Sequence, residues 1–284
     1  MRKFLVVALM LFIGVQASWA QADVISVKDY LKIMKDKNTI LISARKPADY
    51  KKVHIVNAVN INHKDLYNNE PVKSMLKSPA EIAKILGSKG VSESKNIVIY
   101  DSGTGKYSGR LYWILKYMGA KNVKILDGHM DAWKAARKPV TRMPSKVKPT
   151  TFTANVNKGM NVDLAYVKKA KGNSNVVLVD TRSPEEFNGT KDSKIRKGKI
   201  PGSINLEFKH VLNSKKMLKS KEELAKLFKA KGITADKEVI LFCETSVRAG
   251  IVYMALVTAL DYPNVKVYDG AYYEWQSIAA NKVK

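Results

Sequence analysis

The chain has 284 residues, 45% of them hydrophobic and 26% charged, and 50 Lys+Arg against 25 Asp+Glu give a formal net charge of +25. At ~100–200 residues per domain this length suits two domains with separate cores, and the composition excludes a disordered, collagen-like or low-complexity chain. One cysteine in the whole sequence excludes an intramolecular disulfide and any zinc site that needs two thiolates.

The elements follow in chain order. Arg2 and Lys3, the apolar run 4–15 and small residues at Ser18-Trp19-Ala20 or Ala20-Gln21-Ala22 read as a secretory signal peptide over 1–22. The run is shorter than the ~18–20 apolar residues that cross a bilayer, so the mature chain is expected to be periplasmic or secreted, without stable membrane insertion once the signal is removed. Residues 39–43, 97–100 and 123–126 are short β-branched runs, and 79–89, 108–119 and 130–136 carry helical periodicity. The Pro- and Lys-rich stretch 137–152 marks a linker. The alternation then resumes, with strand-like runs at 176–180, 238–242 and 265–268 and helical patterns at 221–231, 248–260 and 271–280. Runs apolar on both faces suit buried parallel strands, so the expected class is α/β, each domain a mostly parallel sheet flanked by helices on both faces.

The two halves are copies. Asn96–Asp101 resembles Glu238–Cys243, and Asp127–Trp133 resembles Asp269–Trp275, both at an offset of 142 residues. Leu41–Tyr50 parallels Leu178–Phe187, and His54–Ile61 parallels Lys199–Leu206, with a loop insertion around 188–198 in the second half. The expected organisation is a signal peptide at 1–22, a first domain at 23–140, a linker at 141–157 and a second domain at 158–284.

Lysines are interleaved with glutamates in segments such as 208–231, which reads as solvated surface. The positive field still concentrates small anions, while no nucleic-acid recognition module is visible and no nucleic-acid partner is expected.

Cys243 follows the apolar strand 239–242 and precedes a helix that starts near Arg248. Ligands of parallel α/β sheets sit at the carboxyl ends of strands, where helix N–H groups and a nearby arginine stabilise a thiolate nucleophile. Glu244 opposes this unless its side chain turns to solvent.

The run Cys243-Glu244-Thr245-Ser246-Val247-Arg248 resembles the active-site loop of rhodanese-type sulfurtransferases. The duplication resembles that family's tandem members, the thiosulfate and 3-mercaptopyruvate sulfurtransferases. Asp180-Thr181-Arg182, Gly198 to Asn205 and Tyr268-Asp269-Gly270 through Trp275 complete the pattern. The resemblance implies two rhodanese-like domains, the second catalytic. The first is an inactive copy with Asp101 in the cysteine's place and Lys106 in that of Arg248. It implies a persulfide on Cys243, formed from a small anionic sulfur donor such as thiosulfate or 3-mercaptopyruvate and passed to cyanide or a thiol, without a cofactor or metal. The backbone N–H groups of Glu244, Thr245, Ser246, Val247 and Arg248 would cradle the anionic sulfur. Asp180 and Arg182 would buttress the loop or face the donor, with Arg182 and Lys106 supplying charge across the cleft.

Three departures bear on the donor. Ser246 stands where glycine is frequent, so a backbone conformation open to a Cβ is expected there. Glu244 replaces a residue that is cationic in some thiosulfate-using members, and Glu186 a second donor-binding arginine; both should weaken capture of a dianion. A sulfur carrier or anion-binding module of the same fold is the alternative. A phosphatase is a more distant one, because its loop is one residue longer and usually follows a histidine. Trp133 and Trp275 read as packing residues, and His54, His63, His129 and His210 show no metal-ligand spacing.

Overall fold

A computed structural model of the chain describes residues 23–284, so the signal-peptide expectation lies outside the described residues. The first half contains β1 (Val24–Ile25), α1 (Val27–Ile33), β2 (Thr39–Ser43), α2 (Pro47–Lys52), β3 (His54–Ile55), β4 (Val59–Asn60), β5 (Tyr67–Asn68) and β6 (Met75–Leu76). It continues with α3 (Pro79–Ser88), β7 (Asn96–Tyr100), α4 (Lys106–Tyr117), β8 (Asn122–Leu126), α5 (His129–Ala135) and β9 (Val140–Thr141). The second half contains β10 (Asn161–Val162), α6 (Leu164–Ala170), β11 (Val176–Asp180), α7 (Pro184–Phe187), β12 (Ile204–Asn205) and α8 (Lys221–Lys229). It closes with β13 (Glu238–Phe242), α9 (Ala249–Met254), β14 (Val265–Tyr268) and α10 (Ala271–Ser277).

Two five-stranded parallel sheets result, in the orders β1-β8-β7-β2-β4 and β10-β14-β13-β11-β12. Each strand splits its side chains between two cores, as the period of two requires. Ile97 and Ile99 of β7 face a large core that spans both domains, while Val98 and Tyr100 face a separate one. In β13, Val239 and Leu241 enter the shared core, and Ile240 and Phe242 enter the outer core of the second domain.

The domains meet where α4 crosses α9. Both positions at the crossing are glycine for a steric reason: a Cβ on Gly250 would stand 2.2 Å from the Gly109 carbonyl oxygen, and one on Gly109 would stand 2.4 Å from the Ile251 nitrogen. The helix expected over 248–260 is α-helical only to Met254, with a π-helical segment at Ala255–Ala259. The helix expected over 271–280 stops at Ser277.

Local sequence sets several helix starts. Ser78 with Glu81, Ser183 with Glu186 and Ser220 with Glu223 form reciprocal capping boxes at α3, α7 and α8. The box at α7 fixes Glu186 beside the carboxyl end of β11.

Candidate active site

Cys243 is the first residue after β13, and the segment following β14 grips its loop. The Tyr272 N–H donates to the Cys243 carbonyl at 3.0 Å and the Tyr273 N–H to the Glu244 carbonyl at 2.9 Å. The Ser246 hydroxyl donates to the Tyr268 carbonyl. Ser246 has φ +53°, in the left-handed region, so the expected conformation open to a Cβ is corrected. Its inward hydroxyl bond ties that turn to β14.

The thiol lies deeper than its place in the sequence suggests, with no accessible surface. Its surroundings are nonetheless polar on the loop side, where the Arg248 backbone N–H donates to Sγ at 3.4 Å. Among the described residues this is the one loop amide bonded to sulfur; Glu244, Thr245, Ser246 and Val247 supply the rest of the loop's backbone.

The Arg248 side chain is shared between Cys243 and α7. Its Nη1 and Nη2 donate to the two Glu186 carboxylate oxygens at 2.6 and 3.0 Å, a bidentate pair reaching back to α7. Burial works to raise the Glu186 carboxyl, but the bonds and charge of Arg248 outweigh it and hold the group at about 2. Burial works to lower Arg248, and the negative groups at Cys243 and Glu186 raise it instead. The arginine expected to serve the thiolate and a donor anion is therefore also paired with a carboxylate 62 positions upstream.

Asp180 and Arg182 form a buried pair. Arg182 Nε and Nη2 donate to the Asp180 carboxylate, Nη2 also donates to the Gly198 carbonyl at 2.7 Å, and the guanidinium lies 3.8 Å from the Tyr272 ring centroid. These partners tie the pair to the Gly198 turn and to Tyr272, whose N–H holds the Cys243 carbonyl. Arg182 also borders a cavity of about 230 Å³ beside the active loop, together with Glu186, Lys191, Arg196 and Glu244. Glu244 thus faces this opening. Lys106, expected across the cleft, has its Nζ 4.8 Å from the Tyr107 ring centroid.

The first-domain copy of the loop shows what such a turn holds. Asp101 is fully buried, and its carboxylate accepts from the N–H groups of Gly103 at 2.7 Å, Thr104 at 3.1 Å, Gly105 at 3.3 Å, Tyr107 at 3.1 Å and Ser108 at 3.3 Å. Burial opposes its ionisation, but His129 and these amides keep its carboxyl below the ordinary value. The turn is an anion nest occupied by its own side chain.

Trp133 and Trp275 are core residues, each bonded through Nε1 to a backbone carbonyl. His54 bridges two carbonyls, His129 packs against Asp101, and His63 stacks on Tyr107. Sequence reasoning missed Arg110, a fully buried cation in an otherwise apolar stretch of α4, although a lone charge between Gly109 and Leu111 was a visible signal.

The Rhodanese-like domain family matches this chain twice, at residues 26–136 and 163–278. The chain belongs to that family, as a tandem-domain member. The thiosulfate sulfurtransferase of Pseudomonas aeruginosa is 30% identical over 239 residues, covering 83% of this chain and 87% of the relative. That of Azotobacter vinelandii is 29% identical over 237 residues, with the same two coverages. The crystal structure of the 3-mercaptopyruvate sulfotransferase SseA from Escherichia coli matches with a TM-score of 0.82 and 28% identity, covering 89% of this chain and 99% of that one.

Proposed function

We propose that this protein is an exported sulfurtransferase that moves a sulfane sulfur from thiosulfate, 3-mercaptopyruvate or a similar small anion to cyanide or a thiol. The observation that carries the reading is the placement of Cys243 at the end of β13, with its Sγ accepting the Arg248 N–H, in a turn whose first-domain copy binds a carboxylate through five amides.

The chemistry is a double displacement. With thiosulfate, the Cys243 thiolate attacks the outer sulfur, the donor's S–S bond breaks, and its electron pair leaves on sulfite; the enzyme keeps the sulfur as a Cys243 persulfide anion. The acceptor then attacks that outer sulfur, and the Cys–S–S bond breaks to return the thiolate, cyanide leaving as thiocyanate. The turn's amides face a single negative charge in both states, so the oriented dipoles need no rearrangement between the half-reactions. The cations Lys191 and Arg196 at the cavity and the net charge of +25 favour approach of an anionic donor, whereas Glu186 and Glu244 oppose a dianion at close range. Export rests on the charged, then apolar, amino-terminal segment; among the described residues no helix is long and apolar enough to cross a membrane.

Exposure of the purified protein to thiosulfate tests the reading. Peptide mass spectrometry should show an adduct of about 32 Da on the peptide carrying Cys243, lost on addition of cyanide with release of thiocyanate. No adduct, or an adduct without turnover, rejects the enzyme; the second result identifies a carrier.

A further inference from the structure

One hydrogen bond at the domain interface is repeated by the duplication, and a buried ion pair is added to one of its two copies. On the catalytic side the Asp269 carboxylate accepts the Leu76 N–H at 2.9 Å, and on the opposite side Asp127 accepts the Leu218 N–H at 3.0 Å. The residues of one bond map onto those of the other by the repeat offset of 142. The added cation is Arg110, fully buried in α4, whose Nη2 donates to Asp269 and whose Nε donates to the Tyr67 hydroxyl at 2.8 Å. Its counterpart at the same offset is Val252, so Asp127 has no guanidinium partner among the described residues.

The extra cation falls on the side of the nucleophile. Asp269 sits in the short segment that holds the Cys243 loop. It directly follows Tyr268, whose carbonyl accepts the Ser246 hydroxyl, and it precedes Tyr272 and Tyr273, whose N–H groups hold the Cys243 and Glu244 carbonyls.

The network beyond Arg110 carries no further charge at neutral pH. Burial, with Arg110, Lys64 and Lys106, pushes His63 down to about 3, and burial pushes Tyr67 up to about 12. The neutral His63 Nδ1 lies 3.1 Å from the Tyr67 hydroxyl, which orients the phenol against Arg110.

We propose that Arg110 and Asp269 are positioning residues: the catalytically silent domain holds the Cys243 loop in register for sulfur attack by clamping the segment that grips it. The inference rests on the sulfur-transfer reading, so its test first requires the wild-type protein to form the Cys243 persulfide; failure there rejects that reading and not the clamp alone.

The experiment follows single-turnover persulfide formation from thiosulfate in wild type, Asp269→Asn, Arg110→Met, Arg110→Lys and Asp127→Asn, with thermal unfolding of each. Misplacement of a reacting group by about 1 Å can cost ~100-fold, so Asp269→Asn and Arg110→Met should lower the rate constant at saturating donor by ~10-fold or more. The donor concentration at half-saturation should hold, and Arg110→Lys should recover part of the rate. Asp127→Asn removes the matching interface bond beside the inactive loop and should change the rate less than ~2-fold. Equal slowing by Asp127→Asn and Asp269→Asn overturns the proposal, because the contacts then only join the domains. A loss confined to the reacting fraction, at an unchanged rate constant, also overturns it, since that reports unfolding. If Arg110→Met does not fold, the isosteric Asp269→Asn decides between these results.

Discussion

Glu186→Gln isolates the charge that neutralises Arg248. The amide keeps the side chain's length and an oxygen for the Ser183 N–H of the α7 capping box, now 3.2 Å away, so helix entry is preserved while the negative charge is removed. For a dianionic donor ~7 Å from that carboxylate, Coulomb's law at an effective dielectric of ~40, between a protein surface and water, gives ~2 kcal/mol of relieved repulsion. That corresponds to a ~30-fold rise in donor capture, and a monoanion gains half the free energy, or ~5-fold. Steady-state transfer to cyanide, with thiosulfate and with 3-mercaptopyruvate as donors, should show the rise in kcat/KM, larger for thiosulfate and shrinking as salt is added. An unchanged kcat/KM for thiosulfate, or equal gains for both donors, refutes the electrostatic reasoning and leaves Glu186 as an orienter of the guanidinium.

Cys243→Ser should abolish persulfide formation and transfer while circular dichroism and the unfolding temperature stay close to wild type; residual transfer rejects the nucleophile. Asp101→Ala strips the acceptor from five amides, three of them buried, and should destabilise the protein by ~2–4 kcal/mol in urea unfolding, a smaller effect than ~1 kcal/mol showing that the nest relaxes without its anion. Glu186 is held at about 2 in the folded protein against 4.5 as its ordinary value, so its contribution is full above pH ~4.5 and is lost as pH falls from there towards 2. The loss of up to ~3 kcal/mol over that window should be absent in Glu186→Gln, measured as the difference between the two acid-unfolding curves.

The long strands and several crossover helices were legible because each carries its own signal: both-face apolar runs at β2, β7, β11 and β13, and helical periodicity at α3, α4 and α8, whereas the one-turn helix α7 was not read. The two-residue edge strands β1, β4, β10 and β12 had none, since each is too short to carry a period and exists only by pairing with another strand, about 100 residues away for β1 and β10. The strand-end position of Cys243 and the turn after it were legible from the apolar run that precedes them. The Arg248–Glu186 and Arg110–Asp269 pairs were not, because they join residues 62 and 159 positions apart that meet only when the helices and domains pack. The left-handed turn at Ser246 is likewise set by the bond to Tyr268 across the loop and not by residue preference.

The two copies of the turn differ in how their negative charge is attached. In the first, a carboxylate fixed at the end of one methylene fills the nest permanently. In the second, Cys243 stands in that place and the turn has another shape: its left-handed residue is Ser246, where the first copy has left-handed Gly103 and Gly105. Asp101 saturates its own turn with five N–H donors, so an anion entering there would have to displace a covalently attached carboxylate, whereas the second turn commits a single N–H to Sγ.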